Sequence, residues 1–201
     1  MLLREISAEV LVADAPIVAL TRDDVAALKV RAAKNPRRRI RVCAHRSVDD
    51  AVHEMLIVMA QGCYIRPHKH LEKSESFHVV EGALDVVIFD DEGQVTQVLP
   101  LGDYVSGAGF YYRSDAALYH TVFIRSAVVV FHETTRGPFR PSDSIPAPWS
   151  PDETDAVAVS GFLAKLGEAT ATWRPPAIRG PERGRIPHDG GDRRRRRAAS
   201  S

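Results

Sequence analysis

The apolar positions of the chain change their period near residue 37. Before it, residues 6 to 20 hold an extended segment, VLVADAPIVAL, after which Val25, Leu28 and Ala32 recur at the spacing of one helical face. Thr21-Arg22-Asp23-Asp24 has the form of a capping box in front of that helix, and Asn35-Pro36 ends it. From Arg37 onward short apolar runs are separated by turn residues: IRVCAH, EMLIVM, SFHVVEG, LDVVIFD, QVTQVLPL, YHTVFI and AVVVFHETT. Several are rich in Val, Ile, Phe and Tyr, and Asp90-Asp91-Glu92-Gly93 reads as a hairpin turn between two of them. Many short strands at regular spacing predict an all-β sandwich or barrel.

The strand pattern stops near Gly137-Pro138-Phe139, where Pro141, Pro146 and Pro148 predict a stiff loop. Ser150-Pro151-Asp152-Glu153 then reads as a helix start, with Ser as the N-cap, Pro at the first helical position and Glu three residues after the cap. Val159, Phe162, Leu163 and Leu166 form an apolar stripe suited to packing on the outside of the β domain. The division that follows is an N-terminal strand and helix over 1–36, a β-barrel over 37–149, a C-terminal helix over 150–170 and a disordered basic tail over 171–201. The chain contains no internal repeat.

Composition narrows the class without naming a function. At 201 residues, 44% of them hydrophobic and 26% charged, the chain suits one soluble globular domain. The opening stretch MLLREISAEVLVADAP sets Arg4, Glu5 and Glu9 among its apolar residues, which reads as neither a secretion signal nor a membrane span, so a cytoplasmic location is expected. Two cysteines, Cys43 and Cys63, imply no disulfide scaffold in that compartment. Nine of the 27 basic and three of the 26 acidic residues lie from Arg174 onward, which leaves 18 against 23, a net −5, in the part expected to fold. A nucleic-acid-binding domain shows a basic face, and that signal is missing there.

The chemistry concentrates between Gly62 and Gly82. His68 and His70 stand two apart, so on an extended strand both imidazoles face one side. A four-residue turn then leads to Glu75 on what reads as the neighbouring strand, facing the same interior, and His120 in LYHTVF is the candidate for a further ligand from a second segment. The spacing G-x5-H-x-H-x4-E-x6-G, filled here by Gly62, His68, His70, Glu75 and Gly82, resembles the first signature of the cupins. The second signature is partial: Gly109 and His120 keep their spacing, whereas Asp115, Ala117 and Ile124 replace its Pro, Gly and Asn. Within the cupins, residues 20 to 165 most resemble the WbuC-like metalloproteins, through the arginine, cysteine and histidine pattern at 39 to 45, ESFHVVEG, FDDEG, YYR, YHT and FHETTRGPF.

That resemblance implies a cupin-type jelly-roll β-barrel, an association with bacterial surface-polysaccharide or sugar-nucleotide metabolism, and a homodimer. Three imidazoles and a carboxylate suit one divalent transition-metal ion, and Fe, Mn, Ni, Zn, Cu and Co all accept such a set. Four protein ligands leave room at the ion for water or substrate. The chain has no G-x-S-x-G elbow, Walker loop or Rossmann glycine pattern, so catalysis would centre on the metal. Tyr112, Tyr119, His45 and Glu133 are the candidates for a separate acid or base.

Alternation turns His78 away from the interior and allows at most one of His132 and Glu133 to face it; it also sets Phe77 and Val79 on the face of Glu75. His45 and His53 read first as structural or surface residues. Arg66, Arg113 and Arg136, near the metal segments, would together suit an anionic ligand, although surface solvation is the better reading of each one individually. Two functions are consistent with these features: a metal-dependent enzyme, of the isomerase, epimerase or oxygenase kind, acting on a small sugar-derived or carboxylated metabolite, and a non-catalytic metal-dependent binding or sensing module.

Overall fold

The computed structural model describes residues 3–174; beyond Arg174 the basic tail expected from residue 171 lies outside them. The chain opens with β1 (Leu3–Ser7), β2 (Val10–Ala13) and α1 (Arg22–Lys34). The strands β3 (Arg39–Cys43), β4 (Val52–Ala60), β5 (His68–His70), β6 (Glu75–Glu81), β7 (Ala83–Phe89) and β8 (Val95–Gly102) follow. Then come β9 (Tyr111–Ser114), β10 (Tyr119–Ile124), β11 (Val128–Arg136), β12 (Ser144–Pro146) and finally α2 (Ala156–Thr172). Seven strands form one sheet in the order β1-β2-β3-β4-β11-β6-β9, and five form the other in the order β12-β5-β10-β7-β8. Pairing is antiparallel except between β2 and β3. The result is a jelly-roll barrel of two facing sheets with one helix outside each sheet.

Period two decides what each strand contributes. On β4 the odd positions Met55, Ile57 and Met59 join Phe77, Val79, Val86, Ile88 and Phe131 in the core between the sheets. The even position Val58 packs outward with Ile40, Val42 and Val130 against Leu28 and Ala32 of α1. On β7 the same alternation sends Val87 and Phe89 outward, where they pack with Tyr119 of the neighbouring β10 under Leu166 of α2. EMLIVM and LDVVIFD therefore look apolar throughout, and not alternating, because a helix covers the outer face of each sheet.

Local signals explain both helices, one of them differently from the sequence expectation. At α1 the Thr21 hydroxyl accepts from the Asp24 backbone at 3.2 Å and the Asp24 carboxylate accepts from the Thr21 backbone at 2.8 Å, which completes the capping box. The second helix does not start at Ser150. That residue is buried, and its hydroxyl donates to the Ala147 carbonyl at 2.7 Å while accepting from Arg66 at 3.1 Å, so it is committed elsewhere. Asp155 caps α2 instead, accepting from the Ala158 backbone at 3.0 Å. The proline-rich loop also holds more structure than expected, since its middle forms β12 and extends the five-stranded sheet beside β5. No described helix is long and apolar enough to cross a membrane. Cys43 and Cys63 are buried and unpaired.

Both motif glycines adopt the left-handed backbone, with φ of +83° at Gly62 and +82° at Gly82. They differ in their surroundings. A Cβ at Gly62 would meet nothing nearer than 3.8 Å, whereas at Gly82 it would lie 2.3 Å from the Val128 carbonyl oxygen. Gly62→Ala should cost only backbone strain, about 1–2 kcal/mol, and Gly82→Ala distinctly more. Urea unfolding of both variants checks the order; equal losses would show that β11 yields to the added methyl group.

Candidate metal centre

Two strands of the five-stranded sheet and one strand of the facing sheet build the centre. His68 on β5 lies directly opposite His120 on β10, and His70 follows two residues on along the same face of β5. Glu75 is the first residue of β6, in the seven-stranded sheet. The strand carrying Glu75 is thus not the neighbour of the His68–His70 strand within one sheet, as the sequence suggested. The intervening turn crosses from one sheet to the other, and the carboxylate meets the imidazoles from across the barrel.

Each imidazole is held from behind. Nδ1 of His68 lies 2.9 Å from the Arg66 carbonyl and Nδ1 of His120 lies 2.9 Å from the Leu118 carbonyl. Carbonyls only accept, so both Nδ1 atoms carry the proton, and in a neutral ring Nε2 is then a bare lone pair. Nδ1 of His70 is 3.1 Å from the Ser144 hydroxyl on β12. The three Nε2 atoms face one another, with 3.2 Å between those of His68 and His70. Glu75 closes the group, with Oε1 3.0 Å from His120 Nε2 and Oε2 3.3 Å from His70 Nε2.

Four electron-pair donors this close, His120 and Glu75 buried and His68 and His70 half-buried, repel unless a cation lies among them, and the spacing suits nitrogens sharing one ion at about 2.1 Å. The donor set therefore fits a divalent transition metal, and the three histidines are close enough to hold one. With protons as the only cations, the same conflict appears in the acidities. Burial would raise Glu75, but hydrogen bonds and charge from His120 and His70 outweigh it and hold the carboxyl well below its usual range. Burial would lower His120, but Glu75 reverses that and raises it. Burial, with the nearby charge of His120, pushes His68 down to about 4.

The group opens into a cavity of about 460 Å³ between the sheets. Glu133, Thr135, Phe77, His45 and His53 also line it. Of His132 and Glu133, of which alternation allowed at most one to face the cavity, Glu133 faces inward and His132 outward; His78 is exposed. Burial, reinforced by the charge of Glu75, pushes the Glu133 carboxyl up to about 8. His45 and His53, read from the sequence as structural or surface residues, both stand in the cavity lining. Their rings stack at 4.1 Å on the cavity wall, and His53 is buried with no hydrogen-bond partner for Nε2 among the described residues.

Two other candidates lie elsewhere. Tyr112 packs on Phe77, its hydroxyl buried and without a partner among the described residues. Tyr119 turns to the opposite face from His120, against Trp149 and under Lys69, a placement that the same alternation could have given from the sequence. None of the three arginines singled out lines the cavity. Arg66 binds Ser150 and Asp152, Arg113 binds Asp115, and Arg136 reaches toward the Glu72 carbonyl.

Residues 20–101 match the family described as Domain of unknown function (DUF6016). No curated protein matches the chain in sequence. Among solved structures, the chain is similar to a protein of Shewanella oneidensis, with 11% identity, 68% of this chain and 87% of that one covered, and a TM-score of 0.46. It is also similar to a sugar phosphate isomerase from a cupin superfamily of Silicibacter pomeroyi, with 22% identity, 44% and 52% covered, and a TM-score of 0.35. A third is the capsular polysaccharide assembling protein CapF of Staphylococcus aureus, with 15% identity, 48% and 26% covered, and a TM-score of 0.39. The chain thus spans about half or less of the length of the latter two. The fold assignment rests on the strand order and register given above.

Glu133 also makes stability depend on pH. A carboxyl whose folded value, about 8, lies above its ordinary 4.5 binds its proton more tightly in the folded state. It therefore stabilises the fold fully below 4.5, and that contribution is lost as the pH rises through 8. Glu133→Gln should flatten the fall in Tm between these limits by several degrees, given about 2–4 °C per kcal/mol at this size. Melting curves across the range check this; an unchanged pH profile would mean that Glu133 ionises freely in the fold.

Proposed function

We propose that the chain is a divalent-metal-dependent enzyme acting on a small metabolite held between its two sheets. One observation carries this reading: three Nε2 lone pairs, two of them fixed by backbone carbonyls, converge with Glu75 at the wall of a cavity. His68, His70, Glu75 and His120 would hold the ion, which supplies a Lewis acid with positions open to water or substrate. The rest of the site is suited to proton handling. Glu133 keeps its proton to higher pH than an ordinary carboxyl and faces the same space, so it can donate to a bound molecule. His45 lines the cavity and is pushed down by burial, which leaves its ring neutral and able to accept. Phe77, Ile57 and Phe131 give the interior an apolar wall that limits water. On the sequence resemblance alone, we place the metabolite in surface-polysaccharide or sugar-nucleotide metabolism.

The full chain purified near neutral pH should carry about one equivalent of transition metal by elemental analysis. His68→Ala, His120→Ala and Glu75→Gln should each lose most of it while keeping the strand-rich circular dichroism. Full retention in all three would sink the metal assignment. With metal loaded, Glu133→Gln should keep the ion but lose turnover in a metabolite mixture; stable ligand binding without product in the unmodified chain would identify a binding module instead.

A further inference from the structure

Four cationic side chains line the cavity: Arg37, Arg39, Arg41 and Lys73. Three have acidic partners. Arg37 and Arg39 both bind Glu9 and Glu153, and Lys73 lies 3.6 Å from Asp143 while its ammonium sits over the Phe139 ring. Arg41 has no carboxylate partner among the described residues. Arg41 is exposed, yet its side chain reaches the lining of the cavity. It sits on β3 opposite Ile57, on the same face as Arg39 and Cys43, and that face looks across the barrel. Cys43, two residues on along the same face, and His45 and Glu133 of the same cavity lining lie within reach of its positive charge. A free cation with a planar donor fork therefore shares one cavity with the metal-binding group. A guanidinium fork matches the paired oxygens of a carboxylate or phosphate, and burying such an anion in a partly apolar cavity requires a countercharge.

We propose that Arg41 anchors an oxyanion carried by the small molecule that reaches the metal centre, which makes the substrate class a short metabolite bearing a carboxylate or phosphate. This rests on the metal-dependent reading above, but its test separates the two. Malonate, succinate, glutarate, their monoamides and glycerol phosphate are titrated calorimetrically into the zinc-loaded full chain. At least one oxyanion probe should bind, and Arg41→Met should weaken it by tenfold or more, about 1.4 kcal/mol, with metal content and Tm unchanged. Arg41→Lys keeps the charge without the fork and should recover only part of the loss. Preference for glycerol phosphate over the dicarboxylates would identify a phosphate, and the reverse a carboxylate.

Equal binding by Arg41→Met and the unmodified chain overturns the proposal, as does failure of every oxyanion probe to bind the metal-loaded chain. Arg41-dependent binding by a chain that retains no metal would uphold the anchor and refute the metal reading.

Discussion

The carbonyl oxygens of Arg66 and Leu118 govern the chemistry of this protein, because each takes the Nδ1 proton of a histidine two residues further along the chain. A backbone carbonyl cannot donate, so the tautomer of each ring is settled and both Nε2 lone pairs point inward. The repulsion among these lone pairs and the Glu75 carboxylate is what a cation relieves. The acidities of the group divide as well: burial lowers His68, hydrogen bonds and charge from His120 and His70 lower Glu75, and Glu75 raises His120. Metal affinity and proton affinity thus compete for one set of electron pairs.

The surrounding fold keeps that costly arrangement together. β5 is three residues long, too short to persist alone, and it is clamped between β10 and β12. On the facing sheet, register aligns His53, Thr135 and Glu75 in one row, Met55, Glu133 and Phe77 in the next, and Ile57, Phe131 and Val79 in a third. Polar groups gather at one end of the cavity and apolar groups fill the other. The apolar end joins the core between the sheets, while α1 and α2 cover the outer faces. Burial there holds the strands in register, and register holds Glu75 across from the histidines.

Much of this was legible along the chain, and the misses share a physical character. The strand runs, the Thr21 capping box, the hairpin at Asp90–Gly93 and the opposite facing of His132 and Glu133 all follow from local chemistry or period two. β12 escaped because three residues between prolines show no period, and its pairing with β5 supplies its structure. The start of α2 was misplaced because Ser150 has the residue type of a cap, but tertiary contacts with Ala147 and Arg66 use its hydroxyl. The arginines beside the metal segments attracted attention by proximity in sequence, while Arg41 is set apart from Arg37 and Arg39 by having no acidic partner among the described residues.

The amino-acid sequence by itself determined the strand-rich class, both motif glycines and which side of its strand each ligand faces, since these depend on residue type and on a backbone period of two. The tertiary structure decided that Glu75 approaches from the opposite sheet, that His45 and His53 line the cavity, and that Glu9 and Glu153 neutralise Arg37 and Arg39 but leave Arg41 free. These outcomes depend on which distant groups compete for the same partner. Such competition is settled only when the two sheets close on each other.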